Sequence, residues 1–314
     1  MRILVTGGAG FIGSHLVERL IASGHGPVRV LDNFHRGRKE NLASCWDRIE
    51  FLQGDIRDLQ FLRGAMKDVE VVFHLAAQSN VLGAVHDIEY SFSTNVIGTF
   101  NLLHAARDAG ARRMVFTSSR EVYGDADQLP VQESAPLRPK NAYGASKGAG
   151  EAYCQAFGND GLETVILRLA NVYGPRDQDR VIPLFIENAL EGKPLTINGG
   201  DQVVDVVWIE MVVDALVRAG FGEHIKGPVN VASGKGTTIH ELATRVLKQT
   251  STQVPLQYVP RNPAEVMGFV ADMNRAKSDL NIDLPEDPLS HLDEVIAFTR
   301  NRLGPRKIAA AGVI

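Results

Sequence analysis

Cysteine is nearly absent: Cys45 and Cys154 are the only two in 314 residues, far apart and without ligand partners nearby. That excludes a disulfide framework or a zinc site and leads us to expect a reducing, cytoplasmic setting. Long apolar runs are missing as well, and none approaches the roughly eighteen residues a membrane span needs. There is no basic excess; the net charge of −4 offers no bulk attraction to nucleic acid or an anionic membrane. The chain passes from one Arg straight into an apolar stretch, so no secretory leader is expected. Histidines 15, 25, 35, 74, 86, 104, 224, 240 and 291 show no metal-binding spacing, and His74 closes a buried-looking strand and reads as core. No repeat or low-complexity run is visible, and the tail from Gly304 is expected to fray. What remains is an ordinary globular composition, 44% hydrophobic and 22% charged, in a chain long enough for two lobes.

The strongest feature lies near the start. Ile3-Leu4-Val5 runs into Thr6-Gly7-Gly8-Ala9-Gly10-Phe11-Ile12-Gly13, and apolar residues then recur at 11, 12, 16 and 20. This predicts a strand, a tight turn and a helix. Glycines at 7, 10 and 13 suit the turn, the close approach of a pyrophosphate, and helix–strand packing. The helix start offers unpaired N–H groups to phosphate. A second β-rich run, 28–31, ends in Asp32, at the spacing of a ribose-binding carboxylate.

The first half keeps alternating. Strands are expected at 49–53, 69–75, 113–117 and 164–169, with long helices over 88–109 and 141–157. Such alternation predicts an α/β fold with a doubly wound, Rossmann-like parallel sheet, whose ligands gather outside the strands' carboxyl ends. Gly7, Asp32, Asp55, Ala76 and Ser118 fall at those ends. Beyond Asn171 the rhythm breaks: helices are expected at 181–190, 210–219 and 239–248, strands at 195–197 and 228–231, and a loop over 255–263. We therefore expect a dinucleotide-binding domain over 1–169 and a smaller substrate lobe over 170–314, with parts of 203–232 returning to the first.

Tyr143 and Lys147 are four apart and share one helix face. A phenol near pKa 10 is a poor base, but a nearby ammonium favours its ionised form. The pair follows the Phe116-Thr117-Ser118-Ser119 strand end, which brings a hydroxyl.

Together with Leu75-Ala76-Ala77-Gln78, Val122-Tyr123-Gly124 and Arg168-Leu169-Ala170-Asn171-Val172-Tyr173-Gly174-Pro175, these stretches resemble the extended short-chain dehydrogenase/reductase group, specifically its nucleotide-sugar epimerases and dehydratases. The resemblance runs from residue 1 to about 276. It implies NAD in the first lobe and a nucleoside-diphosphate sugar in the second. It places Gly7, Gly10, Phe11 and Ile12 on the pyrophosphate, Asp32 and Asn33 on the adenosine ribose, and Asp55 and Ile56 on the adenine. Leu75, Ala76, Ala77 and Asn95 would flank the middle of the cofactor, and Tyr143 and Lys147 its nicotinamide end. Asp32 opposes a 2′-phosphate, although Arg36 and Arg38 lie nearby. The implied first step is oxidation at sugar C4, with Tyr143 taking the hydroxyl proton, Ser119 bonding that oxygen and hydride passing to NAD.

Departures from the family pattern bear on the fate of the oxidised sugar. Glu121 matches a carboxylate that dehydratases and uronate decarboxylases carry, so it is a catalytic candidate. Arg120 stands where a dehydratase has its acid, and guanidinium does not give up a proton. Arg120 would instead meet a substrate carboxylate or make a structural ion pair. Asn171, Arg180 and Ile197 fall at diphosphate- and uracil-contacting positions. Val204 replaces an expected Arg, leaving Arg261, Arg176 and Arg180 as candidates for its charge. The expected activity is 4-epimerisation of a UDP-sugar, UDP-glucose and UDP-galactose foremost, with no metal. The rivals are decarboxylation or 4-epimerisation of UDP-glucuronic acid, dehydration, and a non-catalytic NAD-sensing role. The resemblance also implies a homodimer built from the helices around 88–109 and 141–157.

Overall fold

The computed structural model describes residues 1–79, 81–223, 225 and 227–309, so His224 and the end of the tail lie outside the described residues. Seven strands form one sheet: β1 (Arg2–Thr6), β2 (Val28–Asp32), β3 (Ile49–Gln53), β4 (Val69–His74), β5 (Arg113–Ser119), β6 (Glu163–Leu169) and, later in the chain, Pro228–Val231. Their order, from Pro228–Val231 through β6, β5, β4, β1 and β2 to β3, is parallel throughout. The chain winds outward from β1 to β3, then returns to lay β4 on the other side of β1. A crevice opens at that switch point.

Side-chain alternation divides the core between the sheet's two faces. Ile3, Val5, Val71, Phe73, Val115, Val165 and Leu167 point to one face, and Leu4, Val72, Met114, Phe116 and Ile166 to the other. Helices Phe11–Ala22 and Ile209–Phe221 cover the first face with Leu16, Val17, Leu20, Val212, Val213 and Leu216. Helices Leu59–Ala65, Thr99–Asp108 and Ala142–Gly158 cover the second with Leu62, Leu102, Leu103, Cys154 and Phe157. This is the doubly wound arrangement expected from the alternation.

The second half adds β7 (Asn171–Tyr173), β8 (Leu195–Asn198) and β9 (Val203–Trp208). A third cluster there joins Ile182, Phe185 and Ile186 of helix Val181–Leu190 with Leu195, Ile197, Leu242, Val246, Val295 and Ile296. Strand β9 was not expected, because the buried Asp205 interrupts its apolar run. That carboxylate is satisfied instead by Ser233 N at 2.8 Å, Ser233 Oγ at 2.7 Å, Gly234 N at 3.0 Å and Ala271 N at 3.1 Å. The expected loop over 255–263 contains a strand, Leu256–Val259, whose ladder to β8 compensates for its exposed side chains.

The helix expected over 88–109 is three pieces: Ile88–Phe92, a wide π turn at Ser93–Gly98, and Thr99–Asp108. Helix Leu292–Ala309 is interrupted at Gly304, where φ is 72°. Among the described residues no helix is long and apolar enough to cross a membrane.

Candidate active site

A cleft of about 910 Å³ runs along the carboxyl ends of the sheet strands and against helix Val181–Leu190, β8 and β9. Its wall includes Gly7, Gly10, Phe11, Ile12, Asp32, Asn33, Asp55, Ile56, Leu75, Ala76, Ala77, Ser119, Arg120, Glu121, Tyr143, Lys147, Asn171 and Arg180. The structure therefore gathers most of the candidate residues around one space. Three do not line it. Ile197 is fully buried in the third cluster, and its neighbours Thr196 and Asn198 face the cleft instead. Asn95 is buried and consumed internally: it accepts from Gln78 N at 2.8 Å and donates to Gln78 O at 3.0 Å and Ser146 Oγ at 2.9 Å. Arg261 donates to Glu265 O at 2.8 Å, outside the wall.

At one end the backbone has the shape of a phosphate cradle. Gly7 sits at φ +71°, and a Cβ there would meet Ala76 N at 2.6 Å. A Cβ on Gly13 would strike Gly7 O at 2.2 Å, so helix Phe11–Ala22 can dock only with glycine there. Gly10 N-caps that helix without a side-chain bond, and no acidic residue occupies its first turn. Its leading N–H groups are thus free for an anion. The Asp32 carboxylate accepts from Ala9 N at 3.0 Å and Phe34 N at 2.8 Å, and burial raises its pKa against those bonds. Asn33 Nδ2 donates to Asp55 Oδ2 at 3.0 Å, and Arg57 grips Asp55 at 2.9 and 2.8 Å, holding that carboxyl at about 2. Glycine cradle, uncapped helix start and ribose-side carboxylate fit a dinucleotide.

Tyr143 and Lys147 ride on helix Ala142–Gly158, capped by Asn141, whose Oδ1 accepts from Gly144 N at 2.8 Å. Lys147 is 3% exposed; its Nζ donates to Thr117 O at 2.8 Å and lies 4.8 Å from the Phe116 ring. Burial draws its pKa down to about 8. Tyr143 is half-buried beside Ser119, whose hydroxyl acts on the phenol as a hydrogen-bond partner. Burial dominates and pushes the phenol up; Arg180, the Ser119 bond and Arg120 pull it down, and Glu121 adds to the rise. The arginines are the leading cations acting on the phenol, and the ammonium donates to the Thr117 carbonyl.

Ser119 Oγ accepts from Glu121 N at 3.2 Å. Glu121 is itself 5% exposed: Oε2 takes Asn141 Nδ2 at 2.8 Å and Oε1 pairs with Arg120 Nη2 at 2.9 Å. Arg120 Nε reaches Asn171 Oδ1 at 2.7 Å. Of the three arginines named for the charge missing at Val204, Arg180 and Arg176 line the cleft, Arg180 lying 5.8 Å from the Phe11 ring. Arg176 is tied to Glu18 by two bonds of 2.9 Å, and Arg261 stands aside. Sequence reasoning missed Asn141, although an Asn just before a helical run is a cap signal. It also missed Asp177, buried in the wall with Oδ2 unpartnered and its pKa pushed up to about 6. No group of side chains among the described residues could hold a metal ion.

Sheet, glycine cradle and Ser–Tyr–Lys set define a dinucleotide-dependent enzyme of the short-chain dehydrogenase/reductase class. Residues 3–231 match the NAD dependent epimerase/dehydratase family, and the chain belongs to it. Its cofactor is NAD. The chain is 38% identical to the UDP-glucose 4-epimerase of Mycolicibacterium smegmatis, over 96% of this chain and 99% of that one. It is 31% identical to UDP-glucuronic acid decarboxylase 1 of Arabidopsis thaliana, over 96% of this chain and 71% of that one. The crystal structure of the UDP-glucose 4-epimerase of Thermotoga maritima with UDP-glucose superposes with a TM-score of 0.92 at 32% identity, covering 97% and 100% of the two chains.

Proposed function

We propose that the protein is a nucleotide-sugar 4-epimerase that interconverts UDP-glucose and UDP-galactose. The observation that carries this reading is the half-buried Tyr143 phenol, set with the Ser119 hydroxyl on the wall of a cleft shared with the dinucleotide cradle. NAD, when bound, supplies a hydrogen and electron acceptor beside the sugar carbon, and its oxidised ring is positive. Gly7, Gly10 and the start of helix Phe11–Ala22 would hold its phosphates, and Asp32 its ribose. Tyr143 takes the proton of the C4 hydroxyl and later gives it back, while Ser119 Oγ orients that oxygen. Arg180 supplies positive charge to the sugar's diphosphate and, with Arg120, draws the phenol toward ionisation. Among the described residues no acid stands free beside Ser119 to protonate a departing hydroxyl: its neighbour is Arg120, and Glu121 has both oxygens engaged.

A second reading is favoured by one atom: Arg120 Nη1 is buried without a partner, which suits a uronic acid carboxylate on the sugar. Purified protein offered UDP-glucose, UDP-galactose and UDP-glucuronic acid, with products read by NMR, separates the two. Equilibration of the neutral pair without change in total NAD supports the first. Turnover of the uronic acid alone supports the second.

A homodimer completes the proposal. Helices Ile88–Phe92 and Ala142–Gly158 flank one another, the Phe100 ring lies 5.3 Å from that of Tyr153, and Ile88, Phe92, Ile97 and Tyr153 are exposed. Two buried free thiols, Cys45 and Cys154, support a cytoplasmic setting.

A further inference from the structure

Glu121 stands next to the candidate catalytic serine, where a carboxylate invites a role as base. Its surroundings argue otherwise. One oxygen accepts from Asn141 Nδ2 at 2.8 Å and the other pairs with Arg120 at 2.9 Å, so both are held in the wall. Its backbone N–H donates to Ser119 Oγ. Its carbonyl lies against the first turn of the neighbouring helix: a Cβ on Gly144 would fall 2.4 Å from Glu121 O. Asn141 faces both ways, capping that helix through Oδ1 and gripping Glu121 and Ala264 O through Nδ2. Because Oδ1 must accept from Gly144 N, the amide nitrogen is fixed toward the carboxylate. On the far side Arg120 continues to Asn171.

We propose that Glu121 is a positioning residue, the centre of a clamp running Asn171–Arg120–Glu121–Asn141 that locks Ser119 to the start of the helix carrying Tyr143 and Lys147. The clamp sets the distance between the two groups that must share one sugar oxygen, and its far end reaches the smaller lobe at Asn171. Glu121 therefore abstracts no proton from C5. The inference rests on the 4-epimerase reading for its kinetics but not for its geometry.

Two variants test it. Asn141→Ser keeps an oxygen to cap Gly144 N and loses the amide N–H groups donated to Glu121 and to Ala264 O. Glu121→Gln keeps the shape and removes the charge. In both, kcat is expected to fall about tenfold to a hundredfold, the scale of a small misplacement in an active site, with KM unchanged. The charged and titratable groups facing the phenol are Arg180, Glu121 and Arg120, with the Ser119 hydroxyl and, one turn along the helix, Lys147. Since Glu121 raises the phenol, its neutralisation should move the acid limb of kcat to lower pH. The ultraviolet tyrosinate titration, taken as a difference from Tyr143→Phe, should move the same way without any substrate. Wild-type protein turning over in heavy water should leave C5 unlabelled.

An Asn141→Ser protein with wild-type kcat and pH profile overturns the clamp. So does C5 labelling that vanishes in Glu121→Gln, which would make Glu121 the base. If no nucleotide sugar is epimerised, the functional reading fails. The tyrosinate titration then decides the clamp alone: an unmoved curve in Asn141→Ser, which alters position without altering charge, rejects it.

Discussion

Lys147 and Asp177 hold charge where burial opposes it, and each carries a prediction. The ammonium has an ordinary pKa of 10.5 and titrates at about 8 in the folded protein. The unfolded chain therefore holds that proton more tightly between those values. Stability contributed by this group rises as pH climbs from about 8 to 10.5, and below 8 the ammonium is a net cost. Lys147→Met is expected to reduce turnover by about a hundredfold or more yet raise the Tm at pH 7, with the gain shrinking as pH rises from about 8 toward 10.5. Kinetics paired with thermal melts check this. Asp177 has the opposite shift, from 3.8 to about 6. Here the folded state holds the proton more tightly, so stability falls as pH rises through that window and the cost is complete above it. Asp177→Asn should raise the Tm at pH 8 by roughly 2–5 °C and make little difference at pH 4. Both residues show where sequence reading stops. The Tyr143–Lys147 spacing was legible, but which partner the ammonium chose was not, since the Thr117 carbonyl reaches it only through the packing of the 142–158 helix on β5. Asp177 sits in a loop where nothing local distinguishes a buried carboxylate from a solvated one.

The first strand–turn–helix unit was readable because its rules are local: β-formers, glycines at fixed offsets, then a helical stripe. The contact that makes Gly13 obligatory, with Gly7 O, lies within the same turn. Gly13→Ala should therefore push the helix start off the turn and cut the NAD that co-purifies, measured by its release on denaturation, while leaving the sheet's circular dichroism intact. The π turn at Ser93–Gly98 was not readable. It depends on Asn95 bonding a distant loop at Gln78 and on Ile56 packing where a Cβ on Gly98 would fall 2.6 Å away. Strand β9 was missed for a related reason: Asp205 spoils the alternation, and its hydrogen-bond donors come from residues 233, 234 and 271.

At the scale of the molecule, the alternation of strand and helix specified the main sheet and the position of the cleft, because parallel strands joined by helices have few ways to wind. The second half of the chain was less legible: its short strands pair across long separations, as Leu195–Asn198 does with Leu256–Val259. The exposed apolar face on helix Ile88–Phe92 is where the proposed dimer should form. Phe92→Glu is expected to yield monomers by analytical ultracentrifugation where the unaltered protein sediments as a dimer. The central claim is that a proton leaves the C4 hydroxyl for Tyr143 and a hydride leaves C4 for NAD, and that both return to the same positions. The most direct test uses UDP-glucose carrying deuterium at C4. The account expects UDP-galactose with the label still at C4 and none in solvent; label found in water or at C6 would contradict it.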